Sequence, residues 1–216
     1  MSTTAKKTPS RAPRSSKKAP PRPPAAAKAP LTVSRPDLLV NGSDHDFRRL
    51  VQALLPFLAI HTAIRDRYAA LLALTGPQYT IMLCIRMLAD AGQVNIRTVA
   101  RHLWLSASFI TAETNTLERK GYVVKARGDG ADRRTVALTL TARGTALLDS
   151  IAPLRQRVND VQFKSLSASE FRMIVPAVER LVQSGEQALA LLDFLQTQHG
   201  DASGTTRGAR SPASLP

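Results

Sequence analysis

The chain has 216 residues, 44% of them apolar, which is enough for one ordinary domain with a buried core and flanking tails. Its net charge of +14 points to an anionic partner, while a single cysteine excludes an intrachain disulfide framework and fits a reducing, intracellular setting, with the cytoplasm as the expected compartment. No Cys/His cluster has metal-ligand spacing, no apolar run approaches the roughly 20 residues that span a bilayer, and the basic N-terminus lacks the apolar stretch of a secretory signal, so no metal, cofactor or membrane is expected.

The charge is unevenly placed. Residues 1–36 hold nine Lys/Arg and no acid, mixed with Pro, Ala, Ser and Thr, and have too few large aliphatics to offset their backbone entropy. They read as a disordered basic tail, as do residues 200–216, leaving 37–199 as the folded part. The N-terminal tail has two open readings: an arm that adds sequence-independent attraction to DNA, or a solubilising extension. Inside the folded part, residues 97–143 carry nine basic against four acidic side chains, a net +5.

Asp44 and Asp46 mark a helix start, and Phe47, Leu50, Val51, Leu54, Leu58, Ile64, Tyr68, Leu71 and Leu72 recur at near-helical spacing; Pro56 is expected to kink this helix. Gly76-Pro77 predicts a break, followed by a second helix from about Gln78 to Asp90 with Ile81, Met82, Ile85 and Leu88 inward and Gly92 as its stop. A short helix is expected over Ile96 to Leu103. Another opens at the N-cap Ser106 and ends at Gly121.

Beyond Gly121 the period changes. Residues 122–127 and 135–140 read as strands joined by the polar stretch Gly128 to Arg134, a β-hairpin. A helix from about Thr141 to Leu166 and another opened by the capping box Ser167-Ala168-Ser169-Glu170 complete the fold, with Pro153 and Pro176 expected to leave kinks or breaks. The last helix is strongly amphipathic, with Phe171, Ile174, Val175, Val178, Leu181, Val182, Leu189, Leu192 and Leu195 on its apolar side.

Two short helices with a tight turn, followed by a hairpin, are the parts of a winged helix-turn-helix, whose second helix enters the DNA major groove while the first braces it across the backbone. The expected class is therefore mainly α with a small β-hairpin wing. Ile110, Thr114 and Leu117 fall on the face that packs inward, with Val99, Leu103 and Leu105 as partners. Ser106, Ala107, Ser108, Phe109, Thr111, Ala112 and Asn115 fall on or near the outward face. Ser108, Thr111 and Asn115 suit phosphates or base edges, and Ala107 or Phe109 suits a thymine methyl; Phe109 has burial as its alternative. Arg97, Arg101, Lys120, Lys125, Arg127 and Arg143 would supply positive charge for phosphates.

From Leu74 to Leu148 the order of motifs resembles the MarR (multiple antibiotic resistance regulator) family. The motifs are Leu74-Thr75-Gly76-Pro77-Gln78-Tyr79, Leu117-Glu118-Arg119-Lys120-Gly121-Tyr122-Val123, Asp132-Arg133-Arg134 and Leu140-Thr141-Ala142-Arg143-Gly144. The resemblance implies a DNA-binding lobe at about 75–144 flanked by long N- and C-terminal dimerisation helices. It implies a homodimer on a pseudo-palindromic operator in double-stranded DNA, most often a repressor, released by a small phenolic or aromatic effector. It also implies that Arg133 reaches into the minor groove while Asp132 pairs with Arg134, or another nearby arginine, to shape the wing; a solvated turn with surface ion pairs is the plainer alternative. The chain departs from the family at Ala112, where many members carry arginine, and Ser106 to Glu118 holds no Lys or Arg but does hold Glu113 and Glu118. A non-specific nucleoid-type DNA-binding protein is therefore the alternative function. No nucleophile elbow, phosphate loop or paired acid/base cluster points to an enzyme.

Trp104 and Cys84 are expected to pack in the scaffold, the latter as a small core residue. His61 and Tyr68 on the first helix are a candidate ligand pocket, with partly buried core positions as the alternative.

Overall fold

The structure is a computed structural model that describes residues 29–127 and 136–204, with backbone alone at Arg127 and residues 199–204. The chain falls into two compact units that divide between Thr62 and Ala63. In the first, a 3-10 turn at Pro36–Leu38 leads into a tight turn in which Val40 and Ser43 exchange both backbone hydrogen bonds, at 2.9 and 3.0 Å. Asn41 and Gly42 between them both have positive φ, 51° and 71°, the backbone an Asn-Gly pair adopts most readily. Asp44 follows and is buried. Its carboxylate accepts the Thr32 N–H at 2.8 Å and the Thr32 hydroxyl at 2.7 Å, and pairs with Arg48 at 3.1 Å. These bonds tie the segment around Thr32 to the start of helix α1, His45–Leu71. The helix continues through Pro56, and every residue from 51 to 60 is exposed.

The second unit holds the rest. Helix α2 (Gly76–Ala89) starts two residues before the expected Gln78, because Thr75 and Gln78 form a reciprocal capping box and Pro77 sits in the first turn, where its missing N–H costs nothing. Asn95 and Thr98 form the same box for α3 (Ile96–Leu103), and Ser106 caps α4 (Ala107–Arg119) by accepting the Phe109 N–H at 3.2 Å. Strands β1 (Val123–Arg127) and β2 (Val136–Leu140) pair antiparallel, Val123 against Leu140 and Arg127 against Val136. The Leu138 N–H also donates to the Val94 carbonyl at 2.8 Å, so the residues just before α3 lie along the outer edge of β2.

The helix expected over 141–166 is broken at Pro153, as that proline suggested, into α5 (Ala142–Asp149) and α6 (Ala152–Gln162), because Pro153 stands in the first turn of α6 and cannot donate to the preceding turn. Helix α7 (Ala168–Gly204) opens with Ser167 and Glu170 capping each other's backbone N–H, and it runs on through Pro176. The core gathers Tyr79, Ile81, Met82 and Ile85 of α2 with Val99, Ile110, Leu117, Val123, Leu138 and Leu148. Cys84 belongs to it, and burial pushes its thiol up to about 11, so it is a protonated core side chain.

Candidate nucleic-acid interface

The interface is built on α3, α4 and the hairpin. Val99 and Ala100 on α3, and Ile110, Thr114 and Leu117 on α4, are buried together in the core, which fixes the two helices against each other. Leu105, expected to pack with them, is exposed in the turn instead. With that inward face set, helical geometry leaves Ser106, Ala107, Ser108, Phe109, Thr111, Ala112 and Asn115 outward, and all seven are exposed.

Their polar atoms are partly committed. The Ser106 hydroxyl lies 3.0 Å from that of Ser108, and the Thr111 hydroxyl donates to the Ala107 carbonyl at 2.7 Å, which leaves its lone pairs as acceptors. The Asn115 side-chain carbonyl accepts from the Lys125 ammonium, so the amide NH2 is what Asn115 offers outward.

The two acids on α4 differ in how they are held. Glu113 accepts from Nε2 of the buried Gln78 at 2.9 Å, and Oε1 of that same amide accepts from Lys120 Nζ at 3.1 Å. Glu118 lies 3.9 Å from Lys125, whose side chain is only 14% exposed. Glu113 therefore braces α4 against α2, while Glu118, 43% exposed, makes only a loose ion pair with β1. Lys120 is further held by the Ala73 carbonyl at 3.2 Å, and the Arg143 guanidinium sits 5.1 Å over the Tyr122 ring. Of the basic residues expected to meet phosphates, Arg97 and Arg101 stand exposed on α3, while Lys120 and Lys125 are folded back. Arg127 ends β1, and the wing-tip residues Asp132, Arg133 and Arg134 lie outside the described residues.

Two glycines show why the motif pieces are spelled as they are. A Cβ at Gly144 would fall 2.2 Å from the Tyr122 carbonyl oxygen, and one at Gly76 would fall 2.0 Å from Asp66 Oδ1. Thr141 completes the first junction: its hydroxyl donates to the Gly121 carbonyl at 2.7 Å and accepts the Gly144 N–H at 2.9 Å. The Leu-Thr-Ala-Arg-Gly stretch is thus a clasp that holds the end of the wing to the end of α4.

A second expectation is corrected beside Leu105. Trp104 does not pack in the scaffold: it is 56% exposed and sits left-handed at φ 55° as the C-cap of α3. That conformation costs a non-glycine residue roughly 1–2 kcal/mol. Phe109 is at the margin, 37% exposed.

The lobe holds open clefts, and their linings do not include the proposed ligand residues. A cleft of about 530 Å³ is lined by Arg65, Thr80, Cys84, Met87, His102 and Leu103 among others, and another of about 680 Å³ by Arg101, His102, Val182 and Glu186 among others; neither includes His61 or Tyr68. His61 stacks on Phe57 at 6.2 Å. Tyr68 is a buried neighbour of Tyr79, and its hydroxyl, like Arg155 Nη1, is buried without a hydrogen-bond partner among the described residues. Burial, then the neighbouring Tyr79, holds the Tyr68 phenol above its usual range, while the Arg155 charge opposes them.

Two capped short helices, a buried brace beneath the second and an antiparallel hairpin clasped to its end define a winged helix-turn-helix. No family profile matches the chain. Over 99 residues it is 29% identical to YwhA of Bacillus subtilis (strain 168), an uncharacterized HTH-type transcriptional regulator, across 46% of this chain and 70% of that one. Over 128 residues it is 27% identical to the HTH-type transcriptional repressor NicR of Pseudomonas putida, across 59% and 78%. In structure it matches a mutant of MarR from E. coli complexed with operator DNA, with a TM-score of 0.52 at 20% identity over 63% of this chain and 95% of that one. The chain thus shares the winged-helix fold of MarR and is similar in sequence to HTH-type transcriptional regulators.

Proposed function

We propose that the protein is a ligand-responsive repressor that binds a pseudo-palindromic operator as a homodimer in the cytoplasm. The observation that carries the DNA-binding part is the outward face of α4 with its cap: Ser106 and six exposed side chains of the helix, with Glu113 drawn onto the buried Gln78 and Glu118 loosely paired with Lys125. Ser106, Ser108, Thr111 and Asn115 are the base-edge and phosphate donors or acceptors, Ala107, Phe109 and Ala112 the apolar contacts, and Arg97 and Arg101 the phosphate anchors. Lys125 acts by fixing Asn115, and Arg127, Arg133 and Arg134 are assigned to the backbone and minor groove at the wing, with Asp132 and Arg134 holding its shape.

Dimerisation is supported by α7, which leaves twelve large apolar side chains exposed from Phe171 to Leu195, and by the exposed run of α1 around Leu50, Leu54 and Leu58. Roughly half exposed, each forgoes about half of the 1.5–3 kcal/mol that full burial contributes, and a two-fold partner supplies the matching surface. The residue boundaries that go with this reading are a basic tail at 1–36, the dimeric winged-helix domain at 37–199 and a second tail at 200–216, except that the stretch around Thr32 is bonded to α1 and α7 extends to Gly204.

Effector response is supported by Tyr68. Its unpartnered hydroxyl and the unpartnered Arg155 nitrogen suit the phenol or carboxylate of a small aromatic compound.

Transcription in vitro from the promoter upstream of its own gene tests the regulator. Repression relieved by an aromatic carboxylate, and not relieved in Tyr68→Phe, is expected. Increased transcription would make the protein an activator, and unchanged transcription would reject regulation at that promoter.

A further inference from the structure

Trp104 is placed against both of the forces that ordinarily position a tryptophan. Its backbone is left-handed, φ 55° and ψ 40°, where a side chain crowds the next carbonyl and glycine is the usual occupant. Its indole is 56% exposed, so burial does not offset that crowding. The turn itself does not require it. The Trp104 N–H closes α3 onto the Ala100 and Arg101 carbonyls, and the Leu105 N–H bonds the Ala100 carbonyl at 3.0 Å, bonds that any non-proline residue makes. Among the described residues nothing bonds the indole Nε1–H.

Strain of this kind persists where the side chain is used. The position is the turn between the two helices, where one crosses the sugar–phosphate backbone and the next enters the groove. Arg101 on one side and Ser106 and Ser108 on the other are exposed, a basic and hydroxyl-bearing surround suited to an anionic polymer. An indole combines an apolar body with a donor at its tip, which matches a deoxyribose beside a phosphate. We infer that Trp104 is a positioning contact to the DNA backbone, its ring lying on a sugar and its Nε1–H donating to a phosphate oxygen beside Arg101. The contact rests on the DNA-binding reading above and adds to it a residue that anchors the helix-turn-helix without reading sequence.

Trp104 is the only tryptophan, so its emission reports this one site. The full chain is titrated with a duplex carrying the region upstream of its own gene and with a scrambled duplex of equal length. The emission should be that of a solvent-exposed indole in free protein and change saturably on both duplexes. Trp104→Gly should weaken binding to both by about tenfold, the loss of one charge-assisted hydrogen bond, without lowering the Tm. It should leave the slope of log K against log salt unchanged, whereas Arg101→Ala lowers that slope by about one. Trp104→Phe, which keeps a ring and loses the N–H, should fall between.

A blue-shifted emission in DNA-free protein, as from an indole covered by a second copy of the chain, would overturn the contact. So would Trp104→Gly binding both duplexes as tightly as wild type. Wild type that retains neither duplex would overturn the DNA-binding reading and this contact together.

Discussion

Gln78 joins more of the interface than any outward residue does. One buried amide caps α2 through Thr75, donates to Glu113 on the recognition helix and accepts from Lys120 at that helix's end. Gln78→Ala removes the partner of a carboxylate and of an ammonium at once, and stability should fall by about 1–3 kcal/mol in urea unfolding. DNA affinity should fall with it, because α4 loses its brace against α2; an unchanged midpoint and affinity would show the amide to be incidental. The sequence displayed Gln78 only as part of a family-like motif, and Glu113 only as an unwelcome charge. Their pairing spans 35 positions and follows from how α2 crosses α4, which no local pattern encodes. The seven outward residues of α4 were readable because the 3.6-residue period fixes them once Ile110, Thr114 and Leu117 are inside. Trp104 was misread for the opposite reason: residue type favours burial, and the left-handed turn that holds it outward is a backbone property.

At the scale of elements, caps were legible and the effect of an internal proline only partly so. Ser106 and the Ser167–Glu170 box carry their capping chemistry in the residues themselves, whereas of two prolines expected to kink or break a helix, Pro153 separates α5 from α6 and Pro176 leaves α7 continuous. The binding of Thr32 to Asp44 was also missed, since it joins an otherwise featureless segment to α1 across twelve positions. That join makes the protein acid-sensitive in a definite direction. The two hydrogen bonds from Thr32, then the Arg48 charge, hold the Asp44 carboxyl below the usual carboxylate range; hydrogen bonds from His45 and Arg49 do so for Asp46, and from Ser167 for Glu170. A carboxylate with a depressed folded pKa contributes stability that is fully present above its unfolded value of about 4 and is lost as pH falls through the folded value. Unfolding midpoints should therefore be level above that range and decline below it. Asp44→Asn should flatten the decline; an identical acid limb in the variant would show that the Thr32 bonds do not couple to unfolding.

For the whole molecule, the fold class was readable because short capped helices, a change of period and a polar turn occur in the order a winged helix requires. The proposed partner surface is marked in the sequence only by amphipathicity. Leu181→Glu combined with Leu192→Glu on α7 should shift the protein from dimer to monomer in sedimentation velocity while the lobe stays folded by circular dichroism; a dimer that survives both charges would move the interface elsewhere. No single described helix is long and apolar enough to cross a membrane. The central claim is specific DNA recognition by a two-fold protein, and the most direct measurement is footprinting and affinity on the region upstream of its own gene against scrambled DNA at physiological salt. A protected pair of half-sites about 10 bp apart centre to centre, or a multiple of that spacing, bound at least about a thousandfold tighter than the scramble, is predicted. Equal affinity for both duplexes, with no footprint, would contradict it and leave a non-specific nucleoid-type DNA binder.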